Sequence, residues 1–117
     1  MHHDPPPILA VAEEVLAWTL DRTASLPRSQ RFTFGQKLDG FMLEIIERIV
    51  TARFDPGART RELRAVNIAL EKLRVLWRIV HGRHWISAGQ LLFVVARLDE
   101  IGRMAGGWMK AEKPRSP

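Results

Sequence analysis

The chain has 117 residues, 46% apolar and 26% charged, a balance that suits one domain with its own core and excludes a disordered polypeptide. It contains no cysteine, which excludes a disulfide framework or a cysteine-based metal site and fits a reducing compartment. Its formal charge of +5 and isoelectric point near 10.7 favour polyanions or acidic partners, provided the cations are grouped.

No apolar run approaches the roughly 20 residues that span a bilayer. The opening MHHDPPP lacks the basic and then apolar order of a secretory signal. The expected compartment is the cytoplasm.

In chain order, Asp4 before Pro5, Pro6 and Pro7 reads as an N-cap or a stiff lead-in. Ile8, Leu9, Ala12, Val15, Leu16 and Leu20 then recur at helical spacing, predicting a first helix over residues 8–24 that stops before Pro27. Leu26 to Phe32 reads as a connector. Thr33 and Gln36 have the spacing of a capping box and predict a second helix over 33–54. Its stripe is Phe34, Leu38, Phe41, Met42, Ile45, Ile49 and Ala52, and Gly35 and Gly40 are assigned to close approach of a neighbour. Asp55-Pro56-Gly57 is a turn signal.

The third helix, predicted over 58–82, has two apolar sides. Leu63, Val66, Leu70, Leu73, Trp77 and Val80 alternate steps of three and four along one. Ile68, Val75, Leu76 and Ile79 lie off that stripe and predict a second buried surface, either inside the bundle or at an oligomer interface, to which they are assigned. Gly82 is the expected residue after the helix end. Ser87 with Gln90 forms a second capping box and predicts a fourth helix over 87–110. Gly102 and Gly106 share a face of that helix and predict a strip where another backbone comes close. With no candidate strand and short connectors, the fold class is all-α, an up-down-up-down antiparallel four-helix bundle. Residues 1–7 and 111–117 are expected to be flexible tails.

Nothing in this pattern reads as catalysis. No nucleophile elbow, phosphate-binding loop or HExxH motif occurs. His2 and His3 lie in the N-terminal tail, while His81 and His84 flank a helix end, where a cation is favourable. No Glu-x-x-His motif accompanies them, so neither a metal nor a cofactor is expected. Trp77 is on the core stripe and Trp108 on the apolar side of the last helix. Trp85, in a connector beside Arg83, is the tryptophan expected to be exposed.

The cations carry the functional signal. Up-down topology places Arg53, Arg59, Arg61, Arg64 and Lys110 at one end, and Arg28, Arg31, Lys37, His81 and Arg83 at the other. Arg74 and Arg78 lie one turn apart on the third helix. Arg59, Arg61, Arg64, Arg74, Arg78 and Arg83 are the candidate residues for binding nucleic acid or a partner protein. In a single chain they are equally well read as a solvated surface with local pairs, such as Glu71 with Arg74. Repetition around a ring would multiply each patch.

LPRSQRFTFGQKL, then NIALEKLRVLWRIV, then RLDEIGRMAGGWMK, in that order and spacing, resemble the Avd family, accessory variability determinants of diversity-generating retroelements. The resemblance runs from about residue 8 to 110, and its most specific part is the stretch around Leu98-Asp99-Glu100-Ile101-Gly102-Arg103. Arg83-His84-Trp85 departs from the small or polar run often found there. The resemblance implies a basic homopentamer that binds the element's reverse transcriptase and template RNA, and on which mutagenic cDNA synthesis depends. A related branch, the bundle proteins encoded by intervening sequences of 23S ribosomal RNA genes, shares the fold. The readings that remain open are a self-assembling scaffold for a protein partner and a bundle linked to ribosomal RNA.

Overall fold

The apolar spacing of three and four becomes four helices in the structure, a computed structural model that describes residues 7–112. These are α1 (Pro7–Ala24), α2 (Gln36–Phe54), α3 (Arg59–Gly82) and α4 (Ala88–Ala111). A 3₁₀ turn (Arg28–Gln30) and a π turn (Arg31–Gly35) lead into α2. No strand occurs among the described residues. Asp4, Pro5 and Pro6, together with His2, His3 and residues 113–117, lie outside them. Each helix packs on its two neighbours, α1 on α2 and α4, and α3 on α2 and α4. That is the square of an up-down-up-down bundle.

The core is built on α3. Leu63, Val66, Leu70, Leu73, Trp77 and Val80 are each 0% exposed, and burying side chains of this kind stabilises by about 1.5–3 kcal/mol apiece. Leu38, Met42, Ile45 and Ile49 of α2 meet them from one side, and Val94, Leu98, Ile101 and Ala105 of α4 from another. α1 adds Ile8, Ala12 and Val15, with Trp18 set edge-on to Trp77 at 5.2 Å between ring centroids. Polar ties fix the neighbours: Thr23 Oγ1 donates to Asp39 of α2 at 2.8 Å. Arg48 of α2 bridges to Glu62 of α3 at 2.9 Å. The hydrogen bonds to Glu62 and then to Glu44 hold the Arg48 guanidinium above its ordinary pKa.

The helix ends separate two sequence signals that look alike. The Ser87–Gln90 box is formed: the Ser87 backbone N–H donates to Gln90 Oε1 at 2.9 Å, and the Gln90 N–H to Ser87 Oγ at 3.1 Å. The Thr33–Gln36 box is not. The chain is already helical from Arg31, and the Gln36 N–H is satisfied by the carbonyls of Arg31 and Thr33. No orphan donor is left for Thr33 to cap, and its hydroxyl donates to Gln30 instead. At the other end of α3, Gly82 is still helical and the left-handed residue is His84, φ 65°. Trp85 N–H bonds Val80 O at 3.1 Å and His84 N–H bonds His81 O at 2.9 Å, which makes His84 the C′ residue of a Schellman motif.

The glycine strip of α4 is half of what its spacing predicts. A Cβ on Gly102 would stand 3.6 Å from Leu70 Cδ1 and 3.4 Å from Arg74 Nη2, side chains of α3 rather than backbone. A Cβ on Gly106 would meet nothing within 4 Å. No helix among the described residues is long and apolar enough to cross a membrane.

Ser87→Ala should lower stability by about 1 kcal/mol, whereas Thr33→Ala should change it by less than about 0.5 kcal/mol. Urea midpoints of the two variants and the parent check this. Equal losses at both sites would contradict a start to α2 that needs no cap from Thr33. Gly106→Ala should raise the midpoint, because helix propensity improves by up to about 1 kcal/mol where the single chain offers nothing to clash with.

Candidate nucleic-acid and partner interface

Two of the candidate cations are tied into the fold. Arg59 opens α3, and its guanidinium donates to the carbonyls of Ala52 at 2.6 Å and Arg53 at 3.1 Å, at the C-terminal end of α2. It also pairs with Glu112 at 2.8 Å and covers the Trp108 ring, 5.3 Å from its centroid. One side chain thereby joins the ends of α2, α3 and α4. Arg74, expected on a solvated edge, instead bridges α3 to Asp99 of α4 at 2.8 Å and to Glu71 at 3.1 Å. Its side chain is only 21% exposed.

The other four are open. Arg61 has a 75% exposed side chain, 3.9 Å from Glu62. Arg64 and Arg78 are exposed and have no hydrogen bond or ion pair among the described residues. Arg83 is exposed beside the Trp85 ring at 5.6 Å. Arg64 and Arg78 are separated by four turns of α3, about 21 Å at 1.5 Å per residue. The cations therefore form two groups on one helix, with Arg61 and Arg64 at its start and Arg78 and Arg83 at its end.

Between those groups lies the second apolar side of α3. Ile68, Val75 and Ile79 point away from the core and are 59%, 40% and 43% exposed. Leu76 is half-buried toward α2. The outward face of α1 is different in kind: Ala10, Glu13, Ala17, Leu20, Asp21 and Ala24 are exposed, alanines with one leucine and two acids.

The aromatic residues reach water where the sequence does not suggest it. Trp85, expected exposed, packs edge-on against Phe34 at 5.7 Å. Phe32, the last residue of the expected connector, is 77% exposed on the π turn. A groove runs from Phe32 along α2 to α3, lined by Phe34, Lys37, Gly40, Phe41 and Leu76. The usable signal is that Phe32 lies off the stripe of α2 while standing two residues from Phe34, which lies on it. Among the described residues no three His, Cys, Asp or Glu side chains are placed to hold a metal ion.

A family model described as bAvd-like matches residues 8–112, through all four helices. No curated protein matches the chain significantly.

Arg59→Ala should cost about 1–3 kcal/mol, because it leaves carbonyls at the end of α2 without their donors. Arg64→Ala should stay within about 0.5 kcal/mol. Chemical denaturation monitored by circular dichroism separates the two. Equal stability of both variants would show that the Arg59 hydrogen bonds contribute nothing net.

Proposed function

Because the chain belongs to the bAvd-like family, we propose that it is a non-enzymatic accessory protein of a diversity-generating retroelement. In this reading it acts in the cytoplasm and binds the element's reverse transcriptase and template RNA in support of mutagenic cDNA synthesis. The family match across all four helices carries the reading, and the open cations of α3 support it physically. Arg64 and Arg78 can meet phosphates without giving up a structural bond, Arg61 gives up only its long pair with Glu62 and Arg83 only its place beside Trp85, so binding through them is electrostatic and indifferent to sequence.

Assembly belongs to the same proposal. A cationic patch on one small bundle is weak, and a closed ring multiplies it. Ile68, Val75, Leu76 and Ile79 are the interface residues, left in or near water by the single chain. The small-residue face of α1, which carries Glu13 and Asp21, is the candidate counterpart. A contact between two different faces is heterologous and generates a ring when the rotation closes. The resemblance to Avd proteins implies a homopentamer. The alternative, a self-assembling scaffold for a protein partner or for ribosomal RNA, draws on the same apolar face.

Light scattering should give a mass several times the 13.4 kDa of the chain. Ile68→Asp with Val75→Asp should return it to one chain with helicity retained, since both side chains are outside the core. Arg64→Ala with Arg78→Ala should weaken RNA binding while leaving the assembly intact. The log–log salt slope should shrink by about 0.7 for each single-strand phosphate that is no longer neutralised. Unchanged RNA affinity and slope, with capture of the reverse transcriptase abolished, would favour the scaffold.

A further inference from the structure

The aromatic groove has a use that phosphate binding does not supply. Phe32 and Phe34 stand two residues apart on the π turn, at the same end of the groove. Phe34 locks against Trp85, which fixes the turn to the connector between α3 and α4. Phe32 is thereby held out in water, 77% exposed. π-helical turns are rare, and those within helices are found often at functional sites.

The groove floor is costly to keep. Gly40 sits inside α2, where glycine destabilises a helix by about 1 kcal/mol relative to alanine. A Cβ there would meet nothing within 4 Å, so no neighbour in the chain requires the glycine. Its effect is to leave the groove open beside Phe41.

The charges on the rim are cationic. The ammonium groups of Lys37 and Lys72 stand 5.8 and 5.4 Å from the Phe41 ring centroid, and neither has an ion pair among the described residues. The acid on the rim, Glu44, is held by Arg48 at 3.0 Å. One exposed ring, Phe32, beside the half-buried Phe41 and two lysines without ion pairs offers a single strand of nucleic acid a face for a base to stack on and cations for its phosphates. The aliphatic face of α3 has no such rings and suits protein instead.

We infer that the groove lined by Phe32, Gly40 and Phe41, with Lys37 and Lys72 on its rim, is a base-stacking site for single-stranded nucleic acid. The inference rests on the nucleic-acid reading above and adds to it an interaction with bases. Stacking is tolerant of sequence, because every base has a π face.

The test compares a fluorescein-labelled single-stranded RNA with an abasic strand of equal length and charge, by anisotropy on the full chain. Wild-type protein should prefer the base-bearing strand by about fivefold or more per stacked base. Phe32→Leu should reduce that preference, Gly40→Leu should abolish it by filling the groove, and Phe32→Trp should keep it. All three should retain helicity and bind the abasic strand as wild type does. Equal wild-type affinity for both strands, falling steeply with salt, would overturn the stacking site and leave the electrostatic reading standing. Wild-type protein that binds neither strand would overturn both. Variants that keep the base preference but lose a protein partner would overturn the inference and assign the groove to protein.

Discussion

The bundle depends on one stripe, the six side chains of α3 from Leu63 to Val80 that have no exposed surface. Their spacing of three and four commits one side of that helix to the core and sets its rotation. Once the rotation is set, the positions opposite have no partner within the chain. Ile68, Val75 and Ile79 are exposed for that reason, and not because the core is loosely packed. The same rotation turns Arg64 and Arg78 outward. Core packing and the candidate interface are thus two consequences of a single register.

The cations divide by what their neighbours can offer. Arg59 and Arg74 lie where a second helix supplies carbonyls or a carboxylate, and a guanidinium with several donors satisfies them together. Arg61, Arg64 and Arg78 lie on an outward face and find no such set. Charge content cannot make that distinction, because all five are arginines on one helix. The difference is also one of energy. Removing an anchored guanidinium strands backbone acceptors, whereas removing a solvated one returns a site to water.

The stretch before α2 shows how a local rule yields to continuity of the backbone. A capping box stabilises a helix start because that start has unpaired N–H groups. Here the π turn runs directly into α2 and pairs them, so Thr33 has nothing to cap. The turn makes Phe34 an anchor on Trp85 and leaves Phe32 outside. It also sets the position of the groove beside Gly40 and Phe41.

By itself the sequence determined the four helices, their order and the core stripe, because these depend on apolar spacing and on turn residues acting over a few positions. It also determined the Ser87–Gln90 cap, which is complete within one turn. Tertiary structure decided which arginines are anchored, since the partners of Arg59 and Arg74 include Glu112 beyond the end of α4 and Asp99 within it. It decided that Gly106 is open while Gly102 faces α3, a difference that two glycines one turn apart cannot encode locally. It decided too that His84 rather than Gly82 takes the left-handed position. The aromatic groove belongs to the same class, because it exists only where α3 is brought beside α2 and the π turn. The physical reason is range: periodicity and capping act within one helix, while exposure and ion pairing depend on the neighbour that the fold supplies.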